Sequence, residues 1–155
     1  MSKLLRILRH CFRDTKGAVM VEFAVLCVVF LLIVGGIMDL GHAFYMDQVI
    51  TNASREGARY GVVYQTYTDG TRKAPSSFSP TISAHLLDSD EWNLTAYLPS
   101  DADVHVSVVG DSSATSGDKL EVTVTAKKFW FILDNFIPSL GDSKTLSATT
   151  VMRLE

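Results

Sequence analysis

The stretch that decides the fold is "GAVMVEFAVLCVVFLLIVGGIMDLGHAFYMDQVITNASREGARYGVV", residues 17–63 of the 155-residue chain. From Phe23 to Met38 no residue is charged, and with Glu22 tolerated the apolar run extends from Ala18 to Met38. A membrane-spanning helix needs about 20 such residues. The run is just long enough to cross a bilayer, and we predict a transmembrane helix at residues 18–40.

The second half of this stretch, residues 41–63, is apolar on one side only. No proline interrupts residues 18–63, so both halves can form one rod of about 65 Å at about 1.5 Å per residue. We expect any bend at Gly35–Gly36 or at Gly41. Apolar or small residues recur at three- and four-residue steps, the spacing of an amphipathic helix: Phe44 or Tyr45, Met46, Val49, Ile50, Ala53, Gly57 and Tyr60.

Residues 64–155 are predicted to form an α+β domain that ends in antiparallel strands. Apolar and polar residues alternate in "DVHVSVVG" (103–110) and "DKLEVTVTAKKF" (118–129), and more loosely in "KTLSATTVMRLE" (144–155). The segment at 67–80 has the composition of a loop, and 81–92 contains a short helix. The apolar connection "WFILDNFIPSLG" (130–141) is expected to cover a face or edge of the sheet. The predicted fold class is α+β, a long pilin-like helix packed on a small antiparallel sheet.

Charge is distributed unevenly along the chain. The leader, residues 1–17, contains five basic residues against Asp14: Lys3, Arg6, Arg9, Arg13 and Lys16. Positive flanks stay on the cytoplasmic side of a membrane, so we predict a cytoplasmic amino end and an extracytoplasmic domain. The net charge of −3 gives no reason to expect nucleic-acid binding. Cys11 and Cys27 fall on different sides of the predicted membrane boundary, so no disulfide is expected.

The junction of leader and apolar run, "KGAVMVEF" (16–23), resembles the processing site of type IV prepilins. In that site a membrane peptidase cuts after the glycine, here between Gly17 and Ala18. Glu22 then lies about 6 Å along the helix from the new amine of Ala18. It either extends to the lipid headgroups without a particular role or pairs with the Ala18 amine of a neighbouring subunit, which sets the register of assembly.

A second motif, "ASREGARYG" (53–61), carries a ridge of small residues. Ala53, Gly57 and Gly61 are four apart, which allows another backbone to approach closely. Glu56 and Arg59 are spaced for an ion pair on the helix surface, and Arg55 shares a face with Arg59. The simplest interpretation of all six residues is helix-to-sheet packing.

Together these segments resemble the TadE-like family, pilin-like proteins of the tight-adherence (Tad/Flp) secretion system. The resemblance rests on Gly17 with "VEFA", on "GGIMDLGHAFY", on "ASREGARYG" and on the ending "LSATTVMRLE" (146–155). It implies a minor pseudopilin of the Flp type IV pilus, cut by a prepilin peptidase and supporting adherence and biofilm formation. Phe23 stands where the major Flp pilins have Tyr, which favours a pseudopilin over the main filament subunit.

The resemblance also implies the partners and the location. These are the prepilin peptidase, other pilin and pseudopilin subunits, the Tad inner-membrane assembly complex and membrane lipid, in the bacterial inner membrane. No metal-ligand spacing, phosphate loop or nucleophile motif is present in the sequence, so we expect no enzyme activity, no cofactor and no small-molecule substrate. Two alternatives stay open: an uncleaved membrane-anchored binding module, and a secreted protein cut near Gly41–Ala43.

Overall fold

The fold is built on one long amino-terminal helix. The computed structural model describes residues 15–88, 93–112, 115–137, 139 and 141–154. Helix α1 runs without interruption over Thr15–Val62, so the apolar run and the amphipathic extension form a single rod. Three short α-helices follow in the described parts of the chain, after a single 3-10 turn at Pro75–Ser77: α2 (Ile82–Asp88), α3 (Leu94–Tyr97) and α4 (Leu133–Phe136).

The three strands predicted from alternation are confirmed. Strands β1 (His105–Val109), β2 (Lys119–Phe129) and β3 (Ser143–Arg153) form an antiparallel sheet in the order β1-β2-β3. Lys119 pairs with Arg153 at one end of the β2–β3 ladder and Phe129 pairs with Ser143 at the other. The predicted α+β architecture, a long helix on a small antiparallel sheet, is therefore confirmed.

The core lies between the carboxyl half of α1 and the inner face of the sheet. Alternate residues of β2 point inward, as its sequence pattern requires, and α2 packs against the same core. Ser54 of α1 and Thr150 of β3 share a hydrogen bond of 2.9 Å between their hydroxyl oxygens. The fully buried residues of this core include Met46, Ile50, Ala53, Ala58, Leu86, Leu94, Leu120, Val122 and Val124.

The predicted stripe on the amphipathic half is confirmed from Met46 onward but is wrong at its start. Met46, Ile50 and Ala53 are completely buried, whereas Phe44 is 71 % exposed. The reason is geometric, since the sheet reaches the helix on the side of Met46 and leaves the neighbouring side of the rod uncovered. Phe44 lies on that uncovered side of the helix, and its side chain therefore projects away from the domain.

Strand β2 runs antiparallel to α1 along the core. A Cβ added at Gly61 would lie 2.7 Å from Ile82 Cδ1 and against the side chain of Leu120, near the start of β2. At the other end of the strand, Lys128 contacts Asp39 of α1. The chain therefore leaves β2 next to the apolar half of α1, and this determines where the following residues lie.

Candidate functional site

The amino half of α1 is largely exposed from Ala18 to Leu31, and within the described structure it is covered only around Gly35 and Asp39. Its most apolar stretch has no covering from the rest of the chain, and the helix is long and apolar enough to cross a membrane. Most of its large apolar side chains are exposed, from Met20 at 74 % to Val29 and Leu40 at 49 %, whereas Leu32 and Val34 are half-buried. A soluble protein rarely exposes so continuous an apolar surface. The finding agrees with a membrane anchor, as the composition predicts.

The residues predicted for processing and assembly lie at the start of this exposed half. Gly17 and Ala18 are in the first turns of α1, and Glu22 is exposed on the helix surface. Phe23 next to it is 70 % exposed. Glu22 forms no ion pair with any side chain that the structure describes, because the ion pairs among those side chains involve other carboxylates, Asp39 and Asp103. The one carboxylate within the apolar run is thus unpaired within those described residues.

The small-residue ridge lies on the opposite half of the helix and faces inward. Ala53, Gly57 and Gly61 are all buried against the domain. A Cβ added at Gly57 would lie 2.7 Å from Leu86 Cδ1 and 3.1 Å from Val122 Cγ1. Glycine is needed at this position because the side chains of α2 and β2 occupy the space that a Cβ would fill. In this structure the ridge packs against the chain's own sheet and helix α2.

The charged residues of the same motif are arranged differently from the expectation. Arg55 and Arg59 are exposed and Glu56 is half-buried. No ion pair joins Glu56 to Arg59 in the structure, although both residues are described. Exposed pairs of this type contribute only about 0.3–0.5 kcal/mol, so the fold loses little by leaving it unformed.

A buried carboxylate marks the boundary between the two halves of α1. Asp39 is fully buried and accepts hydrogen bonds from three consecutive backbone N–H groups: Phe131 and Ile132, each at 2.9 Å, and Leu133 at 3.1 Å. These N–H groups lie at the start of the short helix α4, where no intrahelical acceptor is available to them. Asp39 therefore supplies the acceptors and fixes the position of this segment against α1.

Lys128 completes this cluster from the sheet. It is 1 % exposed, and its Nζ lies 3.4 Å from Asp39 Oδ1. The ammonium also donates to the Phe129 carbonyl and lies 4.7 Å from the centre of the Phe131 ring. A buried ammonium needs a charged partner and further acceptors, and both are present here. The pair holds the end of β2 against the helix.

The segment that follows β2, residues 131–137, is called here the juxtamembrane segment. The sequence predicted that this connection covers a face or edge of the sheet, but it packs on α1 instead. Ile132 Cγ1 lies 3.5 Å from the place where a Cβ on Gly35 would stand, and Leu133 Cδ2 lies 3.6 Å from the equivalent place at Gly36. The two glycines predicted as a bend are therefore the places where this segment approaches an uninterrupted helix.

The match to known proteins falls on the helix just described. Residues 17–59 match the family model for TadE-like protein. The resemblance predicted from the sequence is confirmed over this segment. The matched segment includes the exposed half of α1, Glu22, Asp39 and most of the small-residue ridge. The match indicates a pilin-like protein associated with the Tad pilus. TadE-like proteins are structural components of a pilus.

The remaining comparisons add no relatives. No curated protein and no solved structure matches the chain. The TadE-like match ends before the first strand, so the resemblance of residues 146–155 to the family's ending stays a prediction. The sequence also contains a run of acidic residues with the composition of a solvated loop, and its side chains lie outside those that the structure describes: Asp88, Asp90 and Glu91.

Asp39 and Lys128 are the buried charged residues that sequence reasoning missed. Two signals were available. Asp39 is a carboxylate at the end of an apolar run, where a charge is costly unless it has a partner. Lys128 continues the alternation of β2, whose inward positions are otherwise apolar: Leu120, Val122, Val124 and Ala126. A lysine at an inward position predicts a buried acceptor, although only the fold shows which residue supplies it.

Proposed function

We propose that this chain is a minor pilin-like subunit of a Tad/Flp pilus, held in the bacterial inner membrane by α1. The observation that carries the proposal is a carboxylate, Glu22, that pairs with no described side chain and lies in the exposed apolar half of a helix that matches the TadE-like model. Such a surface needs lipid or the helices of other subunits around it. The role is structural rather than catalytic, supporting adherence and biofilm formation.

The proposed processing step is hydrolysis of the peptide bond between Gly17 and Ala18 by a prepilin peptidase. It removes the basic leader, residues 1–17, and leaves a charged amine on Ala18. In the assembled pilus the Glu22 carboxylate pairs with the Ala18 amine of a neighbouring subunit. Each charge would be costly alone within the apolar layer, and pairing offsets that cost only when subunits assemble.

The proposed orientation follows from the basic leader. Its lysines and arginines hold the amino end in the cytoplasm, residues 18–40 span the membrane, and the helix continues outward through residues 41–63. The domain of residues 64–155 is then extracytoplasmic. There it is accessible to other pilin and pseudopilin subunits, while the Tad inner-membrane assembly complex meets the helix within the membrane.

Amino-terminal sequencing of the protein extracted from membranes distinguishes this proposal from its alternatives. We expect Ala18 as the first residue. Met1 or Ser2 would instead indicate an uncleaved anchor that carries an extracytoplasmic binding module. A first residue near Phe44 would indicate a secreted protein. A cut at Gly41–Ala43 would also separate Asp39 from Lys128, which would then be buried without its carboxylate partner.

A substitution at the cleavage site tests the processing step. In Gly17→Leu, a bulky side chain precedes the scissile bond, and we expect the leader to stay attached. The readout is a protein of unprocessed mass that accumulates in the membrane fraction. Removal of the leader at the normal rate in Gly17→Leu would contradict the assignment of this site.

A substitution at Glu22 tests the assembly step separately. Glu22→Leu should insert into the membrane and be processed normally, because leucine suits the apolar run, but it should be lost from assembled pili. Val25→Leu is the matched control, since Val25 is also exposed on the apolar half of α1 and should assemble normally. Wild-type amounts of Glu22→Leu in purified pili would refute the pairing.

A further inference from the structure

We propose that the juxtamembrane segment, residues 131–137, is a second membrane contact that lies at the boundary of headgroups and acyl chains. The inference rests on the proposed membrane span of α1. It adds a lipid-binding surface in the domain itself, more than ninety residues along the chain from that span. The partner is the outer leaflet of the same bilayer.

The first argument is the exposure of this segment's apolar side chains. Phe131 is 72 % exposed, Phe136 59 % and Ile137 44 %. Large apolar side chains grouped on a surface favour an apolar environment, and lipid provides one. On the helix that the segment contacts, Ile37 and Met38 are exposed as well. Because Ile132 and Leu133 pack on Gly35 and Gly36, the segment lies directly against the apolar half of α1 and is not a patch remote from it.

The second argument is the level of the segment along the helix axis. Asp39 holds the backbone N–H groups of residues 131–133, so these residues lie beside Asp39. From Ala18 to Asp39 the helix rises about 32 Å at about 1.5 Å per residue. The hydrocarbon core of a bilayer is about 30 Å thick. With Ala18 at the inner boundary, the segment lies at the outer one.

The third argument is how the polar groups of this region are distributed. The buried charges, Asp39 and Lys128, face each other, so neither needs water at the surface. The segment also contains the exposed Asn135, whose polar side chain would be costly in the hydrocarbon core but not among headgroups. Exposed phenylalanines close to a polar residue suit the boundary of headgroups and acyl chains, where both kinds of side chain find a favourable environment. A shallow location is therefore favoured over a deep one.

The test uses the full chain with single cysteines that carry an environment-sensitive fluorophore. Cys11 and Cys27 are replaced, and a cysteine is placed at Phe136, at Phe30 in the span or at Val151. Val151 is a matched control because it is apolar and 52 % exposed, and it pairs with Glu121 near the end of the sheet opposite Phe129. Each protein is reconstituted at low density into vesicles of phosphatidylcholine and phosphatidylglycerol.

The measurement is quenching by lipids that carry a nitroxide either close to the headgroup or near the end of the acyl chain. We expect the label at position 136 to be quenched several-fold more by the shallow nitroxide than by the deep one. The label at position 30 should show the reverse preference, and the label at position 151 should be quenched by neither.

Other outcomes separate the two proposals. Quenching at position 30 with none at position 136 overturns the juxtamembrane contact and leaves the membrane span standing. Absence of quenching at position 30 contradicts the span itself and therefore the proposed function. If position 136 is protected from water but not quenched by lipid, the segment contacts another copy of the chain, and the lipid proposal is wrong.

Discussion

The two halves of helix α1 are one continuous element in two different environments. In the amino half, Val21, Phe23 and Leu26 are each exposed to 60 % or more, and no described residue covers that stretch. In the carboxyl half, Met46 and Ile50 are completely buried on one face. The uniformly apolar stretch leaves its side chains uncovered and is long enough to span a membrane, whereas the one-sided stripe packs on the chain's own sheet. Asp39 lies where the first pattern changes into the second.

The largest effect on the free energy of unfolding is expected from a substitution at Asp39, at the boundary between the two halves. Asp39→Leu leaves the Lys128 ammonium buried without its partner and removes the acceptor for the N–H groups of residues 131–133. Removing one member of a buried ion pair costs about 3–5 kcal/mol. We expect a loss of this size in the free energy of unfolding, measured by urea denaturation of the full chain in detergent micelles.

Two further variants show whether the loss in Asp39→Leu comes from the broken ion pair. Asp47→Leu makes the same substitution two turns further along α1, at a residue that forms no ion pair in the described structure. It should change the free energy of unfolding by about 0.5 kcal/mol or less. The double variant Asp39→Leu with Lys128→Met should recover part of the loss. If Asp39→Leu unfolds like the wild type, the cluster does not stabilise the packing of β2 and of residues 131–133 against α1.

A pair of glycine substitutions compares a covered and an uncovered position of α1 directly. In Gly61→Val the new side chain would collide with Leu120 and Ile82, and overpacking of this kind costs about 1–3 kcal/mol. A Cβ at Gly41 meets nothing within 4 Å, so Gly41→Val should be neutral or slightly stabilising. Urea denaturation of both variants in micelles measures the difference. Equal losses at the two positions would contradict the one-sided packing of α1.

The same comparison explains how much could be predicted from the sequence. Helix α1 and the three strands follow from local patterns, because period 3.6 and period 2 are set by the backbone and by burial on one face. The inward direction of Gly57 and Gly61 also follows, since small residues four apart allow close approach. These features need only neighbouring residues to be recognised.

The contacts between distant parts of the chain could not be predicted in this way. Asp39 and Lys128 are 89 residues apart, and neither position alone identifies the other. The packing of Ile132 on Gly35 likewise depends on the direction in which β2 runs along the helix. Residues 130–141 are apolar for a reason that composition does not reveal, because a sheet edge, a helix face and a lipid surface all favour the same residue types.

The smallest effect on the free energy of unfolding is expected at the half-exposed ion pair of Lys127 and Asp103. Its comparison with the buried pair of Asp39 and Lys128 shows what burial adds to a charge pair. Lys127 is adjacent to Lys128 but points outward, and its Nζ lies 2.6 Å from Asp103 in a half-exposed ion pair. The hydrogen bond and the charge of Lys127 hold the pKa of Asp103 below its usual value. Because the folded pKa is below that of the unfolded chain, about 3.9, ionised Asp103 stabilises the fold above that value. The contribution disappears as the pH falls through the folded pKa.

Asp103→Asn should therefore lower the free energy of unfolding slightly at pH 7, by less than Gly61→Val does, and the difference from wild type should vanish in acid. Asparagine is the suitable replacement because Asp103 has a φ of 45°, a conformation that asparagine tolerates better than most residues. Urea denaturation in micelles at a series of pH values measures the difference. A deficit that persists unchanged well below pH 3 would show that Asp103 stabilises the turn by its backbone conformation or its shape. The half-exposed pair would then contribute nothing through charge, and burial alone would give Asp39 and Lys128 their larger effect.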